Sequence, residues 1–159
     1  MTAQIRITPG TVADAAWIRA LIPRLHAFGP PGYRDVSAMN SAEVSATLAA
    51  LAGTTGANAV LVAQDASATR LGFVHLETAV DFFTRERHGH ISTLVVAPSA
   101  EGRGVGRALL AAAEEWTRAR GYRLLTLNVF EKNDEARRLY ERCGFRVDTI
   151  KYLKLLSDI

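Results

Sequence analysis

The spacing of apolar residues alternates along the chain between about two positions, typical of strands, and three to four positions, typical of helices. Strand patterns occur at 4–8, 60–64, 71–80, 88–97, 124–130 and 147–156. Helical patterns occur at 11–25, 41–53, 108–120 and 134–143. Pro98 ends the fourth strand pattern, while Gly121 and Gly144 follow the last two helical patterns. The chain therefore predicts the element order β-α-α-β-β-β-α-β-α-β.

Three glycines at alternate positions, Gly102, Gly104 and Gly106, separate the fourth strand from the following helix. A glycine-rich turn between a strand and a helix presents backbone N–H groups to an anion. Arg103 and Arg107 add positive charge beside those groups. The dinucleotide pattern G-x-G-x-x-G fails because position 109 is leucine, and the Gly-Lys-Ser/Thr end of a nucleoside-triphosphate loop is missing. The segment predicts a site for some other phosphate compound.

A second group of residues lies on the last helical pattern. Asn133, Ala136, Arg137 and Tyr140 are spaced at i, i+3, i+4 and i+7, so they share one helix face. This segment resembles the N-x-x-A-x-x-L-Y-x-x-x-G-F pattern of the GNAT superfamily of N-acyltransferases. The glycine turn resembles the family's acyl-CoA loop, Q/R-x-x-G-x-G/A, except that Glu101 replaces the Gln or Arg.

The resemblance implies an α/β fold, α+β in some schemes, built as a single GNAT-like domain over residues 1–159. Its mixed, twisted sheet would have six to seven strands, with helices on both faces. The implied acyl donor is acetyl-CoA. Its pantetheine arm would contact the main chain of Leu94, Val95 and Val96, and its pyrophosphate would bind at 102–107, including Val105. Asn133, Ala136 and Arg137 would contact the same cofactor.

The resemblance also implies a reaction: transfer of an acetyl group to a primary amine by direct attack in a ternary complex. The Tyr140 hydroxyl would protonate the leaving thiolate, because a phenol with a pKa of about 10 keeps its proton at neutral pH. His90 is the candidate base, directly or through water. If its strand is unbroken, His90 shares a face with Ser92 and Leu94. The candidates for the acceptor site are Tyr33, His75, Glu77 and Asn128.

Other interpretations of these residues stay open. Tyr140 could belong to the apolar stripe of an amphipathic helix, and His90 could be an exposed polar position at a strand start. A non-catalytic module that binds acyl-CoA as a sensor is the alternative function, motivated by Glu101 and by the lack of a carboxylate on the fourth strand.

Composition narrows the class of protein. With 159 residues, 48% of them apolar and 22% charged, the chain has the composition of a folded globular domain. A net charge of +3 is too small to predict nucleic-acid binding. The single cysteine, Cys143, indicates a reducing cytoplasm, and no metal site or membrane segment is expected. Small enzymes of this family often form homodimers, so self-association is possible.

Overall fold

The computed structural model describes residues 4–53 and 56–157. The strands are β1 (Arg6–Pro9), β2 (Asn58–Gln64), β3 (Arg70–Val80), β4 (Arg87–Val96) and β5 (Leu125–Leu127). The α-helices are α1 (Ala15–Leu21), α2 (Val36–Ala52), α3 (Val105–Ala119) and α4 (Asp134–Arg142). Short 3₁₀ turns lie at Val12–Asp14, Ile22–His26 and Pro98–Ala100.

The strands form one mixed sheet in the order β1-β2-β3-β4-β5. Neighbours from β1 to β4 are antiparallel, whereas β5 is parallel to β4 because α3 crosses between them. The pairing of β4 with β5 covers only three positions, from Gly89–Leu125 to Ile91–Leu127. The predicted mixed α/β sheet is confirmed.

Helices cover both faces of this sheet. Gly72 and Phe73 are consecutive on β3, so they face opposite ways. A Cβ atom at Gly72 would lie 3.2 Å from Val105 of α3, whereas the Phe73 ring centre lies 6.1 Å from that of Trp17 in α1. Helix α3 therefore packs on one face, and α1, which contacts α2, packs on the other. Fully buried apolar side chains fill both layers, among them Ile18, Ile22, Val62, Phe73, Leu76, Leu109 and Ala113.

Helix α2 begins five residues earlier than the predicted Ser41. Asp35 is its N-cap, and the Asp35 Oδ1 atom accepts a hydrogen bond of 3.0 Å from the Ser37 N–H. Aspartate and serine are equally good N-caps, and no glycine or proline separates the two positions. The earlier cap therefore begins the helix.

The sequence patterns predicted more strands than the described sheet contains. No described residue after Arg142 belongs to a strand, so the strands predicted at 147–156 are wrong and the described sheet has five strands rather than six or seven. Strand β5 is also shorter than the predicted 124–130. An apolar strand pattern shows that a segment is suited to pairing, but whether a partner strand lies beside it depends on tertiary structure.

Replacing Gly72 by alanine tests the packing between the sheet and α3. The added Cβ would lie 2.6 Å from the Val95 carbonyl oxygen, so β3 and β4 must shift. We expect Gly72→Ala to lower the free energy of unfolding by about 1 to 3 kcal/mol, measured by urea denaturation. Gly32→Ala is the control, because nothing lies within 4 Å of its Cβ position. Equal stability of the two variants would contradict this packing.

Candidate functional site

Strands β4 and β5 separate towards their carboxyl ends. Their pairing stops at Ile91 and Leu127, whereas β4 continues to Val96. From Ser92 to Val96, the edge of β4 that faces away from β3 has no strand partner among the described residues. Its main-chain N–H and C=O groups can therefore pair with an extended ligand in the gap. This stretch contains Leu94, Val95 and Val96, the three residues predicted to contact pantetheine.

A pocket lies in this gap. Its lining comes from β4, the end of β5, α2, α4 and the chain around the second 3₁₀ turn: Leu25, His26, Phe28, Glu43, Ile91, Ser92, Thr93, Leu94, Leu127, Asn128, Val129, Phe130, Asn133 and Tyr140. The structure thus brings together four of the residues predicted from sequence: Leu94, Asn128, Asn133 and Tyr140. The glycine loop, Tyr33, His75, Glu77 and His90 are not part of this lining.

The glycine loop lies beyond the open end of β4. Gly102 and Gly104 have φ angles of +75° and +79°, in the left-handed region that favours glycine, and nothing lies within 4 Å of either Cβ position. Gly104 is the N-cap of α3. The amide N–H groups of 102–107 donate to no other described residue, since the first turn of a helix has no preceding carbonyls to reach. The loop therefore presents free donors and the positive end of a helix dipole.

Gly106 has a different role from the other two glycines. A Cβ there would lie 2.9 Å from the Leu139 Cδ2 atom of α4. Its missing side chain lets α3 and α4 pack closely, so the third glycine supports packing rather than an open approach to an anion. Arg103 and Arg107 are exposed and form no ion pair with another described residue.

Glu101, which departs from the family pattern, is paired with Arg24. The Arg24 Nη2 atom contacts the Glu101 carboxylate, and the Arg24 Nε donates to the Val96 carbonyl oxygen at 3.0 Å. Arg24 therefore offsets the negative charge at the entrance of the glycine loop. It also ties the second 3₁₀ turn to the end of β4. No sequence pattern indicated this pair, because its members are 77 positions apart.

Two of the residues predicted on α4 stabilise the start of that helix. The Asn133 Oδ1 atom accepts from the Ala136 N–H at 3.3 Å, so Asn133 is the N-cap of α4. Arg137 donates to the Glu131 carbonyl oxygen at 2.9 Å, which fixes the loop before the helix. These bonds leave the Asn133 amide nitrogen and the remaining Arg137 donors for a ligand.

Tyr140 lies in the pocket and packs against the end of its own helix. Its ring centre is 5.9 Å from that of Phe145, at an angle of 63°. Burial raises the pKa of the Tyr140 phenol, because the charged phenolate would be poorly solvated there. The hydroxyl consequently keeps its proton at neutral pH and can act as a donor.

A bulge at Ser92 changes which side chains of β4 share a face. His75 pairs with Thr93 and Leu76 pairs with Ile91, which leaves Ser92 as the extra residue. Since directly paired residues point to the same face, Thr93 joins His75 on one side and Ile91 joins Leu76 on the other. Strand β4 is therefore interrupted at Ser92, so the condition for His90, Ser92 and Leu94 to share a face is not met.

The shift gathers a polar cluster beneath α2, which we define as Glu43, His75, Glu77, His90 and Thr93. Glu77 pairs with His90 and His75 with Thr93 on the same face. The Thr93 hydroxyl donates to the Glu43 Oε2 atom at 2.7 Å. The structure thus brings His75, Glu77 and His90 close to one another behind the pocket, with Glu43 reaching the pocket itself.

Both histidines of the cluster are neutral near pH 7. Burial lowers the pKa of His75, with Glu77 and Glu43 opposing the shift and His90 adding to it. Burial also lowers the pKa of His90, with Glu77 opposing and His88 adding. The distance from His75 Nε2 to Glu77 Oε1 is 3.7 Å, too long for a hydrogen bond. His90 Nδ1 lies 2.8 Å from Thr126 Oγ1, which fixes the orientation of its ring.

Glu43 is the carboxylate in the pocket lining that the sequence analysis missed. It lies within an alanine-rich helix with no recognisable motif around it, so only the packing of α2 on the bulged strand reveals it. Tyr33 lies farther out: the Arg34 guanidinium is 5.3 Å from the Tyr33 ring centre and 5.5 Å from that of Phe130. Phe28 and Phe130 stack at 5.5 Å and form an aromatic wall of the pocket.

Within the described ranges, no group of three or more His, Cys, Asp or Glu side chains is arranged to hold a metal ion. In the same ranges, no helix combines the length and the apolar character needed to cross a bilayer.

The Acetyltransferase (GNAT) family profile matches residues 41–145, more than half of the chain, from within α2 to just beyond α4. The chain belongs to the GNAT family. It is therefore an N-acetyltransferase, as the sequence predicted, and the match gives no support to the sensor alternative.

Related proteins agree with this assignment. The chain is 28% identical over 145 residues to the uncharacterized N-acetyltransferase YhfO of Bacillus subtilis, covering 91% of this chain and 92% of that protein. It is 31% identical over 101 residues to an aminoglycoside N(6')-acetyltransferase type 1 of Stenotrophomonas maltophilia, covering 61% and 66%. The fold matches the aminoglycoside N-acetyltransferase AAC(6')-Iy, solved in complex with CoA, with a TM-score of 0.74 at 17% identity, over 99% and 98% of the chains.

The pair of Arg24 and Glu101 can be tested by donor binding. Removing the cation in Arg24→Ala leaves an unpaired carboxylate beside the loop that is predicted to bind the CoA phosphates, so we expect the dissociation constant of CoA to rise about threefold to tenfold, a modest effect because the pair is partly exposed. Adding Glu101→Gln to this variant should restore most of the affinity. Isothermal titration calorimetry measures both. Equal CoA affinity of all three proteins would show that the pair does not affect the loop.

Proposed function

We propose that this GNAT-family enzyme transfers the acetyl group of acetyl-CoA to the primary amine of a small cationic acceptor. One observation carries the proposal: the unpaired edge of β4 runs from the pocket that contains Tyr140 and Glu43 to Val96, which lies beside the glycine loop and its free amides. A long donor with a phosphate end and a thioester end suits such a gap.

The donor side follows from the unpaired groups. The amides of 102–107, together with Arg103 and Arg107, would bind the pyrophosphate. The β4 edge at Leu94, Val95 and Val96, which has no strand partner but whose Val96 carbonyl accepts from Arg24, would pair with the amides of pantetheine. Asn133, Ala136 and Arg137 would border the pantetheine from α4. The open Cβ positions at Gly102 and Gly104 support this assignment, since the backbone can approach a phosphate there.

The assignment of the acceptor-binding part of the pocket rests on the charge and shape of its lining. Glu43 is the carboxylate in the pocket lining, and the Thr93 hydroxyl holds its Oε2 atom. A carboxylate fixed in this way favours an ammonium group over a neutral or anionic acceptor. The aromatic wall of Phe28 and Phe130, beside Asn128, would contact the body of the acceptor. A related protein is named for aminoglycosides, which are cationic amines, and this agrees with the proposal.

The reaction needs three proton movements: two protons leave the ammonium nitrogen, and one reaches the thiolate. A primary amine with a pKa of about 10.4 is mostly protonated at pH 7, and deprotonating it costs about 4 to 5 kcal/mol. We assign Glu43 to hold the ammonium and neutral His90 to accept its proton through water, with His75 and Glu77 next to it. The amine nitrogen then bonds to the acetyl carbon and gives up its second proton to solvent, the C–S bond breaks, and the Tyr140 hydroxyl protonates the thiolate. Solvent returns the proton to Tyr140.

The test is a thiol-release assay with acetyl-CoA over matched amines that carry a second positive charge, no further charge, or a negative charge. We expect turnover to be fastest with the dicationic amines. Binding of acetyl-CoA without turnover of any amine would instead favour a sensor.

A cytoplasmic location, where Cys143 stays reduced, is part of the same proposal.

Tyr140→Phe tests the proton donor. The variant keeps the ring that packs on Phe145 but lacks the hydroxyl, so we expect kcat to fall at least about tenfold with little change in the affinity for CoA. Steady-state kinetics and calorimetry measure the two quantities. Full activity in this variant would remove Tyr140 from its assigned role.

Glu43→Gln and His90→Gln separate acceptor binding from proton removal. Glu43→Gln should raise the KM for the amine about tenfold or more with a smaller effect on kcat.

Because the pKa of His90 is lowered, wild-type kcat/KM should be constant near pH 7 and fall only below about pH 6.5, as His90 becomes protonated. His90→Gln should lower kcat and abolish this acid limb. An unchanged pH profile in His90→Gln would assign the base elsewhere.

A further inference from the structure

We propose that His26 is a specificity-determining residue of the pocket, where its Nε2 atom accepts a hydrogen bond from a hydroxyl group of the substrate amine. His26 lines the pocket and is 8% exposed. The inference rests on the proposed acetyl transfer to a small cationic amine and narrows the class of that amine: besides the reacting nitrogen, it carries a neutral hydroxyl.

The hydrogen bond from His26 to α2 determines which of its ring nitrogen atoms carries the hydrogen. The His26 Nδ1 atom lies 2.7 Å from the Asn40 Oδ1 atom. An amide oxygen can only accept a hydrogen bond, so Nδ1 carries the hydrogen and donates it. In the neutral ring, Nε2 then has a lone pair and no hydrogen. His26 therefore presents an acceptor of hydrogen bonds at Nε2.

The Nε2 atom of His26 is open to a ligand. Among the described residues, Nε2 has no hydrogen-bond partner. The fully buried polar atoms that lack a partner in the same ranges belong to Thr47, His75, His88 and Trp116, and His26 Nε2 is not one of them. Nε2 therefore keeps contact with solvent. Since His26 lines the pocket, a group that enters the pocket can reach this nitrogen.

Two hydrogen bonds fix the position of the His26 ring before any ligand binds. Arg24, in the same 3₁₀ turn, donates to the Val96 carbonyl oxygen at 3.0 Å, which ties this turn to the end of β4. The bond to Asn40 ties the turn to α2. A ring that is already held in place loses little conformational entropy when it binds a ligand, so its hydrogen bond contributes more to specificity.

The polar group beside His26 makes the pocket complementary to a ligand with two kinds of donor. Asn40 and Glu43 are three positions apart in α2, so the residue that orients His26 and the pocket carboxylate share one helix face. An ionised carboxylate and an Nε2 lone pair can only accept hydrogen bonds. The ammonium group suits Glu43, and a neutral O–H suits the neutral nitrogen. An ether oxygen or an alkyl group would leave Nε2 unpaired, which is costly in a pocket.

Amines of equal charge test this proposal. The probes are aminoalcohols with two to five carbon atoms, the alkylamines in which a methyl group replaces the hydroxyl, and the methyl ethers of the same aminoalcohols. Thiol release from acetyl-CoA gives kcat/KM for each amine. The measured quantity is the ratio of kcat/KM for an aminoalcohol to kcat/KM for its alkylamine. Comparing this ratio between wild type and variants cancels any difference in pKa between the probes.

His26→Leu combined with Asn40→Leu removes both partners of the hydrogen bond, so neither is left unpaired and the variant should fold. We expect the ratio for the best aminoalcohol to fall about tenfold in this variant, mainly through a higher KM for the aminoalcohol. Thermal unfolding and CoA affinity show whether the variant is folded.

Single variants of Asn40 test the orientation of the ring. Asn40→Leu leaves His26 in place but releases Nδ1, so the ratio should fall by about threefold. Asn40→Asp keeps an oxygen that accepts from Nδ1 and should restore the ratio to within about twofold of the wild-type value. A residue that only stabilised the fold would change the ratio in neither variant.

The outcomes separate this inference from the proposed function. An unchanged ratio in the double variant would overturn the inference, and so would an ether that the wild type prefers to the alcohol while the double variant does not. A fall in kcat by the same factor for aminoalcohols and alkylamines would also overturn it, because His26 would then act in proton transfer. Turnover of amines with any of these results leaves the proposed function intact, whereas no turnover of any amine overturns both.

Discussion

The separation of β4 from β5 after three paired positions is the constraint on which the rest of the site depends. Beyond Ile91, the edge of β4 that faces away from β3 has no strand beside it among the described residues, and buried backbone groups need partners. A ligand that can pair like a strand therefore has a prepared place. The pocket, the glycine loop and Tyr140 all border this one opening, so their relation is set by where the two strands stop pairing.

Close contact between α3 and α4 fixes the position of the glycine loop relative to Tyr140. Gly106 at the start of α3 has no side chain, which lets Leu139 of α4 pack against the backbone there. The glycine loop and Tyr140 belong to helices that are joined through this contact. A larger residue at position 106 would separate the phosphate-binding loop from the phenol, although neither touches the other directly.

The bulge at Ser92 sets the electrostatics of the acceptor side. By inserting one residue in β4, it turns Thr93 towards α2, where the Thr93 hydroxyl meets Glu43, and it leaves His90 on the same face as His75 and Glu77. Two histidines with lowered pKa values thus lie next to two carboxylates in a half-buried layer. The two carboxylates provide negative charge that can hold a cation, and the neutral histidine nitrogen atoms can accept a proton.

The sequence alone determined the element order as far as α4, the family and the local chemistry of two helix starts. Glycines at 102 and 104 and the spacing of Asn133 to Tyr140 are local signals, and local geometry follows from neighbouring residues. The sequence could not predict the bulge, the pairing of Arg24 with Glu101, the role of Glu43 or the lack of a strand among the described residues after Arg142. Each of these depends on contacts between residues far apart in the chain, so only the packed tertiary structure decides them.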